Sequence, residues 1–186
     1  MRALPATMTQ VDQNDVISWL ESGAPFAGSR QAGGGSVRRI DTHSASVFLA
    51  GDRAWKLKRP VRLGYLDFST PEKRRAVLEA ELCLNRRTAP ALYLGLHRIT
   101  READGTFALD GTGEPIDWLL EMRRFPDGAL LDERVASGEG LDDALVLALA
   151  GQIVALHASA DAVCLPDGAA RLRRVADGNA AVMAAF

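Results

Sequence analysis

The chain has 186 residues, of which 47% are hydrophobic, so it can form the core of one domain, or of one small domain and part of another. Its formal net charge of −2 gives no reason to expect a nucleic acid or an anionic membrane as a partner. Cys83 and Cys164 are too few for a disulfide framework or a structural zinc site, and no apolar run reaches about 18 residues. These features predict a cytoplasmic protein without a membrane span.

The first predicted element is a short amphipathic helix over residues 12–22. Its apolar residues recur at helical spacing after several possible N-caps: Val16, Ile17, Trp19 and Leu20. A glycine cluster follows at residues 32–36. Its spacing matches neither of the common phosphate-binding loops, and no helix follows it, so it is interpreted as a flexible loop.

A β-hairpin is predicted next, from two apolar runs at residues 44–50 and 53–60. They are joined by Gly51 and Asp52, and such residues tolerate the positive φ angles of a tight turn. Residues 36–41 predict a further strand before the hairpin. Three consecutive strands are therefore expected in this part of the chain.

The two-residue turn also fixes which residues of the hairpin face each other. In that register Val47 lies opposite Lys56, and Ala54, Lys56 and Lys58 share one face of the strand pair. A lysine therefore projects from the interior of a strand, on the same side as small apolar residues.

The helix after the hairpin begins with the capping box at residues 69–72, continues to near Pro90, and carries Glu79 and Glu81. A strand lysine paired with a helix glutamate is how a protein-kinase-like small lobe holds the phosphates of ATP. The carboxylate fixes the position of a flexible ammonium group. The alternative is a lysine on the open face of an ordinary sheet, beside an ordinary amphipathic helix.

Length, turn residues and β-branched or aromatic content predict three more strands, at residues 92–100, 106–109 and 116–125. The order of elements predicts an α+β fold, in which a twisted antiparallel sheet carries one helix on its face. The pattern changes at residues 141–160, which predict a long, strongly apolar helix that requires burial on most sides. Residues 169–185 predict one more helix.

Four blocks of the sequence occur in the order found in a known family. They are VFLAGDRAWKLKRPVR (47–62), LDFSTPEKRR (66–75), ELCLNRRTAPALYLG (81–95) and LLEMRRFP (119–126). Together they resemble the aminoglycoside phosphotransferase-like family, in particular a bacterial branch often fused to a P-loop kinase domain. The resemblance covers about residues 40–160. It implies a protein-kinase-like fold in which ATP lies between the sheet and a helical large lobe.

The resemblance also implies roles for individual residues. Lys56 matches the lysine that binds the ATP phosphates, and Lys58 is the competing assignment. Glu81 matches its partner on the helix, with Glu79 as the second choice.

Further matches concern the adenine pocket. Val47 and Ala54 would line its roof, and Met122 would lie beside it. The hinge, residues 123–125 with Arg124 at its centre, would contact adenine through its main chain.

The resemblance divides the chain into three parts. Residues 1–122 would form a kinase-like small lobe with an N-terminal helix, and residues 123–140 the hinge and connector. Residues 141–186 would begin the helical large lobe. With only part of that lobe present, the apolar face of residues 141–160 would promote self-association.

The sequence departs from the family in its catalytic segment. The family uses a His-Gly-Asp loop to orient the acceptor hydroxyl, and an asparagine and a second aspartate to hold Mg²⁺. Here His157 is followed by Ala-Ser-Ala, and none of those motifs occurs. Phosphoryl transfer depends almost entirely on the positioning of the reactants and on the neutralisation of charge. Because the motifs that would do this do not occur, no catalytic or metal-binding residue is assigned in this chain.

Two functions follow from this departure. The first is the ATP-binding part of a kinase that uses ATP and Mg²⁺ to phosphorylate a small-molecule hydroxyl, and that is competent only in a longer protein. The alternative is a kinase-like binding or scaffold module without catalysis.

Overall fold

A computed structural model describes residues 12–27, 36–163 and 166–184. The glycine cluster predicted as a loop lies outside these ranges, apart from Ser36. The chain divides into two compact units, with the boundary between Asp143 and Ala144.

The described part of the first unit contains three α-helices, one 3₁₀ turn and eight strands. The helices are α1 (Gln13–Glu21), α2 (Pro71–Asn85) and α3 (Leu131–Ala136), and the 3₁₀ turn is Ala24–Phe26. The strands are β1 (Arg38–Asp41), β2 (Ala45–Ala50), β3 (Arg53–Lys58), β4 (Arg62–Leu63), β5 (Leu66–Asp67), β6 (Tyr93–Arg101), β7 (Phe107–Leu109) and β8 (Glu114–Arg123).

Six of these strands form one sheet in the order β1-β2-β3-β8-β6-β7, and every neighbouring pair is antiparallel. The predicted α+β class is therefore confirmed. The last strand in the chain, β8, lies between β3 and β6 and joins the two halves of the sheet. Strands β4 and β5 form a separate small hairpin.

The register predicted for the β2–β3 hairpin is confirmed. Gly51 adopts a φ of 57° in the turn, and this left-handed conformation favours glycine. Ala50 pairs with Arg53, and Val47 pairs with Lys56. Lys56 therefore projects from the middle of β3, as the alternation of the strand requires.

The hydrophobic core lies on the face of the sheet opposite Lys56. Helix α1 contributes Val16, Ile17 and Leu20, and the sheet contributes buried residues that include Phe48, Trp55, Leu57, Ile99 and Leu119. The rings of Phe26 and Trp55 stack with their centroids 5.0 Å apart. Helix α1 and the 3₁₀ turn thus cover this face, and the other face remains for α2.

Helix α2 packs against β8 and β6. The predicted capping box has Ser69 as the N-cap, but the helix starts one residue later. Thr70 is the N-cap, and its hydroxyl accepts a bond from the Lys73 N–H. Ser69 instead donates its hydroxyl hydrogen to Asp67, at 2.6 Å. The helix ends at Asn85, before the predicted end near Pro90.

Four elements of the first unit were not predicted: the 3₁₀ turn, β4, β5 and α3. The 3₁₀ turn has three residues, β4 and β5 have two each and α3 has six, so none is long enough to show a periodic pattern. Strands β4 and β5 lie between the predicted hairpin and the following helix, and α3 lies inside the predicted connector.

The second unit, described by itself, consists of α4 (Asp143–Ser159), which begins at the boundary, and α5 (Gly168–Met183). Both predicted helices are confirmed. None of the described residues of α4 is buried, although most of its side chains are apolar. None of the described helices is both long and apolar enough to cross a membrane.

Candidate functional site

A cavity of about 330 Å³ lies in the first unit, on the face of the sheet that carries Lys56. This volume is at the lower end of the range for small-molecule sites. Most of its wall is apolar, and the apolar residues include Val47, Leu49, Ala54, Leu92, Met122 and Phe125. Charged side chains occupy the rest of the wall, among them Lys56 and Arg124.

Five of the six predicted site residues line this cavity: Val47, Ala54, Lys56, Met122 and Arg124. The sheet brings them together, because Val47 pairs with Lys56 across β2 and β3, and Ala54 pairs with Met122 across β3 and β8. The sixth residue, Glu81, is not among the described residues of the wall, and it reaches the site through Lys56.

The predicted pair of Lys56 and Glu81 is present, with Lys56 Nζ 2.6 Å from Glu81 Oε1. Lys58, the competing assignment, also contacts Glu81, with its Nζ 3.0 Å from Oε2. Glu79 takes no part, because it accepts a bond from Arg75 on the exposed side of the helix. Both lysines therefore share one carboxylate.

The charge of this triad, formed by Lys56, Lys58 and Glu81, follows from the pKa of Glu81. Burial raises that pKa, but the hydrogen bond from Lys56 and the positive charges of both lysines outweigh burial and hold it below its ordinary value. Glu81 is therefore ionised at neutral pH. Two ammonium groups and one carboxylate give the triad a net charge of about +1.

The two lysines differ in their surroundings. Lys56 lies on the cavity wall and its side chain is 24% exposed. The Lys58 side chain is 9% exposed, and its Nζ lies 5.3 Å from the centroid of the Phe68 ring. Lys58 is not among the described residues of the cavity wall. Of the two lysines, therefore, only Lys56 can reach a ligand in the cavity directly.

Glu81 is held in place by the docking of α2 on the sheet. Arg74, Leu78 and Glu81 follow at helical spacing, and both Arg74 and Leu78 are buried. Arg74 forms a bidentate pair with Asp117 of β8, with two N···O distances of 2.9 Å. Asp117 also accepts a bond of 2.8 Å from Gln13 of α1.

The pair of Arg74 and Asp117 was not predicted from the sequence. Arg74 stands in the run Lys73-Arg74-Arg75, which is typical of a solvated helix surface. The one available signal was Asp117 itself, a carboxylate between two apolar residues of a strand. A buried carboxylate requires a charged or hydrogen-bonding partner.

The predicted hinge, residues 123–125, begins at the last residue of β8 and lines the cavity. Two of its three main-chain N–H groups are already used, because Arg123 donates to the Leu92 carbonyl at 2.8 Å and Arg124 donates to the Asp52 carbonyl at 2.9 Å. Phe125 N–H has no hydrogen-bond partner among the described residues. Phe125 rather than Arg124 is therefore the main-chain donor that a ligand could use.

The described residues contain no cluster of three or more His, Cys, Asp or Glu side chains that could hold a metal ion. Mg²⁺ in nucleotide sites is usually bound through one or two carboxylates together with waters and substrate phosphates.

No family model and no solved structure matches the chain. Over 113 residues it is 38% identical to uncharacterized proteins of Mycobacterium bovis and of the CDC 1551 and H37Rv strains of Mycobacterium tuberculosis. Each alignment covers 59% of this chain and 21% of the mycobacterial protein. The chain thus spans about a fifth of the length of the curated relatives it matches.

Proposed function

We propose that the first unit binds ATP and forms the nucleotide-binding lobe of a small-molecule phosphotransferase. The observation that carries this proposal is the pair of Lys56 on the third strand and Glu81 on the following helix, at the wall of an apolar cavity. In protein-kinase-like lobes a lysine of the third strand, paired with a helix glutamate, contacts the phosphates of ATP.

The remaining wall of the cavity suits the adenine base. Val47, Ala54 and Met122 provide apolar surfaces for a planar ring, and Phe125 N–H offers one donor at the hinge. Adenine has an acceptor nitrogen at N1, whereas guanine has a donor N–H there. A single free donor therefore favours ATP over GTP, since a donor that faces another donor remains unsatisfied.

Phosphoryl transfer needs more than this lobe. The described residues contain no cluster of three or more metal-binding side chains, and the sequence lacks the His-Gly-Asp motif that would orient an acceptor hydroxyl. We assign the acceptor site and the Mg²⁺ ligands to a longer cytoplasmic protein, of the length that the mycobacterial relatives have. ATP supplies the phosphoryl group, and Lys56, which Glu81 positions, contacts and orients its phosphates.

The departure of the sequence from the His-Gly-Asp motif also favours a second function, a kinase-like binding or scaffold module without catalysis. The two functions differ in nucleotide affinity. A phosphotransferase lobe binds ATP through Lys56, whereas a scaffold that has lost catalysis binds ATP weakly or not at all.

Titration calorimetry with ATP tests the proposal on the 186-residue chain. Replacement Lys56→Met removes a charged hydrogen bond to the phosphates and is expected to weaken ATP binding by about ten- to a hundredfold. Lys73→Met is the matched control, because Lys73 pairs with Asp67 on the surface and is not among the described wall residues. Equal ATP affinity of the wild type and Lys56→Met, or no binding by the wild type, would refute the proposal.

A further inference from the structure

The carboxylate of Glu81 is shared by two lysines that lie on the same face of β3. Its Oε1 is 2.6 Å from Lys56 Nζ, and its Oε2 is 3.0 Å from Lys58 Nζ. Each oxygen therefore has its own cation. Glu81 would keep one charged partner if either lysine moved away.

We propose that Lys58 is a positioning residue for the nucleotide site: it keeps Glu81 paired, so that Lys56 is free to contact the phosphates. Lys58 has this role only if the first unit binds a nucleotide, so the inference rests on the proposed function. It assigns the two lysines different tasks, although they have the same chemistry and the same partner.

The difference in burial between the two lysines decides which one is the permanent partner of Glu81. The Lys58 side chain is enclosed and lies next to the Phe68 ring, where it is shielded from solvent. Lys56 is more exposed and lies on the cavity wall. A ligand in the cavity therefore competes with Glu81 for Lys56 and leaves Lys58 in place.

The energetics of a partly buried carboxylate explain why a second lysine is needed. A lone pair of Lys56 and Glu81 has no net charge, and a move of Lys56 toward a phosphate would leave Glu81 without a cation. A charge that is largely shielded from water is unfavourable when it has no partner. With Lys58 present, Glu81 remains paired when Lys56 moves, and the net positive charge of the triad attracts the phosphates.

The preference for ATP over adenosine measures this role, because the two ligands share the base and the ribose, and only ATP has the phosphates that Lys56 would contact. We expect the wild type to bind ATP more tightly than adenosine. Lys58→Met should lower the ratio of ATP affinity to adenosine affinity by about tenfold and leave adenosine affinity unchanged. Lys58→Arg, which keeps the charge, should retain most of the ratio.

A double-mutant cycle with Glu81→Gln separates positioning from direct contact. Without the carboxylate nothing requires neutralisation, so Lys58→Met in the Glu81→Gln background should change the ratio by less than about threefold, the residual effect of one screened charge. If the ratio falls in that background as much as in the wild type, Lys58 contacts the phosphates itself and the inference is wrong. If Lys58→Met does not fold, as judged by circular dichroism, the ratio is compared between Glu81→Gln and the double variant. A ratio that falls by more than about threefold in the double variant then shows that Lys58 contacts the phosphates itself.

The failure of this inference differs from the failure of the proposed function. No ATP binding by the wild type, or no effect of Lys56→Met, overturns the proposed function and the inference together. A wild type that prefers ATP, a Lys56→Met variant that loses the preference and a Lys58→Met variant that keeps it overturn only the role of Lys58.

Discussion

Replacement Asp117→Asn would remove the charge that balances a buried arginine. Asp117 is 2% exposed and Arg74 is 5% exposed, and two bonds of 2.9 Å join them. Asparagine keeps one acceptor oxygen, so one of these bonds and the compensating charge are lost. Removal of one partner of a buried pair costs about 3–5 kcal/mol, and the retained bond places the expected loss at the lower end, about 3 kcal/mol.

Urea unfolding monitored by tryptophan fluorescence measures this loss. Trp19, Trp55 and Trp118 are the tryptophans of the chain, and all precede the boundary at Asp143, so the signal reports on the first unit. With a denaturant slope of about 2 kcal/mol per M, a loss of about 3 kcal/mol lowers the unfolding midpoint by about 1.5 M.

Two further variants control the experiment. Glu79→Gln breaks an exposed pair on the same helix and should cost at most about 0.5 kcal/mol. The double variant Arg74→Met with Asp117→Leu buries no charge and should recover most of the stability. A loss below about 1 kcal/mol in Asp117→Asn, or a double variant as unstable as the single one, would refute the reasoning.

Three other predictions follow from the structure. Because the pKa of folded Glu81 lies below its ordinary value, its charge stabilises the fold above about pH 4.3, the unfolded pKa, and this stabilisation is lost as the pH falls through the lower folded pKa. The unfolding free energy of the wild type should therefore exceed that of Glu81→Gln at pH 7, and this excess should shrink as the pH falls below about 4.3; an excess that stays constant below that pH contradicts this. Val47→Phe should fill part of the cavity and abolish ATP binding while the melting temperature changes by only a few degrees; tight ATP binding by this variant would place the nucleotide elsewhere. The exposed apolar side chains of α4 should cause self-association in sedimentation experiments, and Leu147→Lys with Val154→Lys should reduce it; a wild type that stays monomeric at all concentrations excludes this contact.

The hairpin could be predicted in detail because its information is local. Gly51 and Asp52 set the turn, and the strand alternation then determines which side chains face each other, so the pairing of Val47 with Lys56 was fixed by a few neighbouring residues. The pattern of apolar residues likewise located α1, α2 and α4, with differences of a few residues at their ends.

Contacts between distant elements could be predicted only in part. The two lysines of β3 point to the same side, so the sequence could not decide between Lys56 and Lys58, and the structure shows that Glu81 contacts both. The bidentate pair of Arg74 and Asp117 depends on how α2 lies across β8, which no local pattern encodes. The availability of Phe125 N–H at the hinge also depends on distant partners, since Leu92 and Asp52 accept the two preceding N–H groups.

The central place of β8 in the sheet has a consequence for biosynthesis. While the ribosome is still translating the segment before Glu114, the nascent chain holds β3 and β6 without the strand that lies between them. Both then present open hydrogen-bonding edges to other chains. The cavity, whose wall includes Met122 of β8, can form only after this last strand inserts.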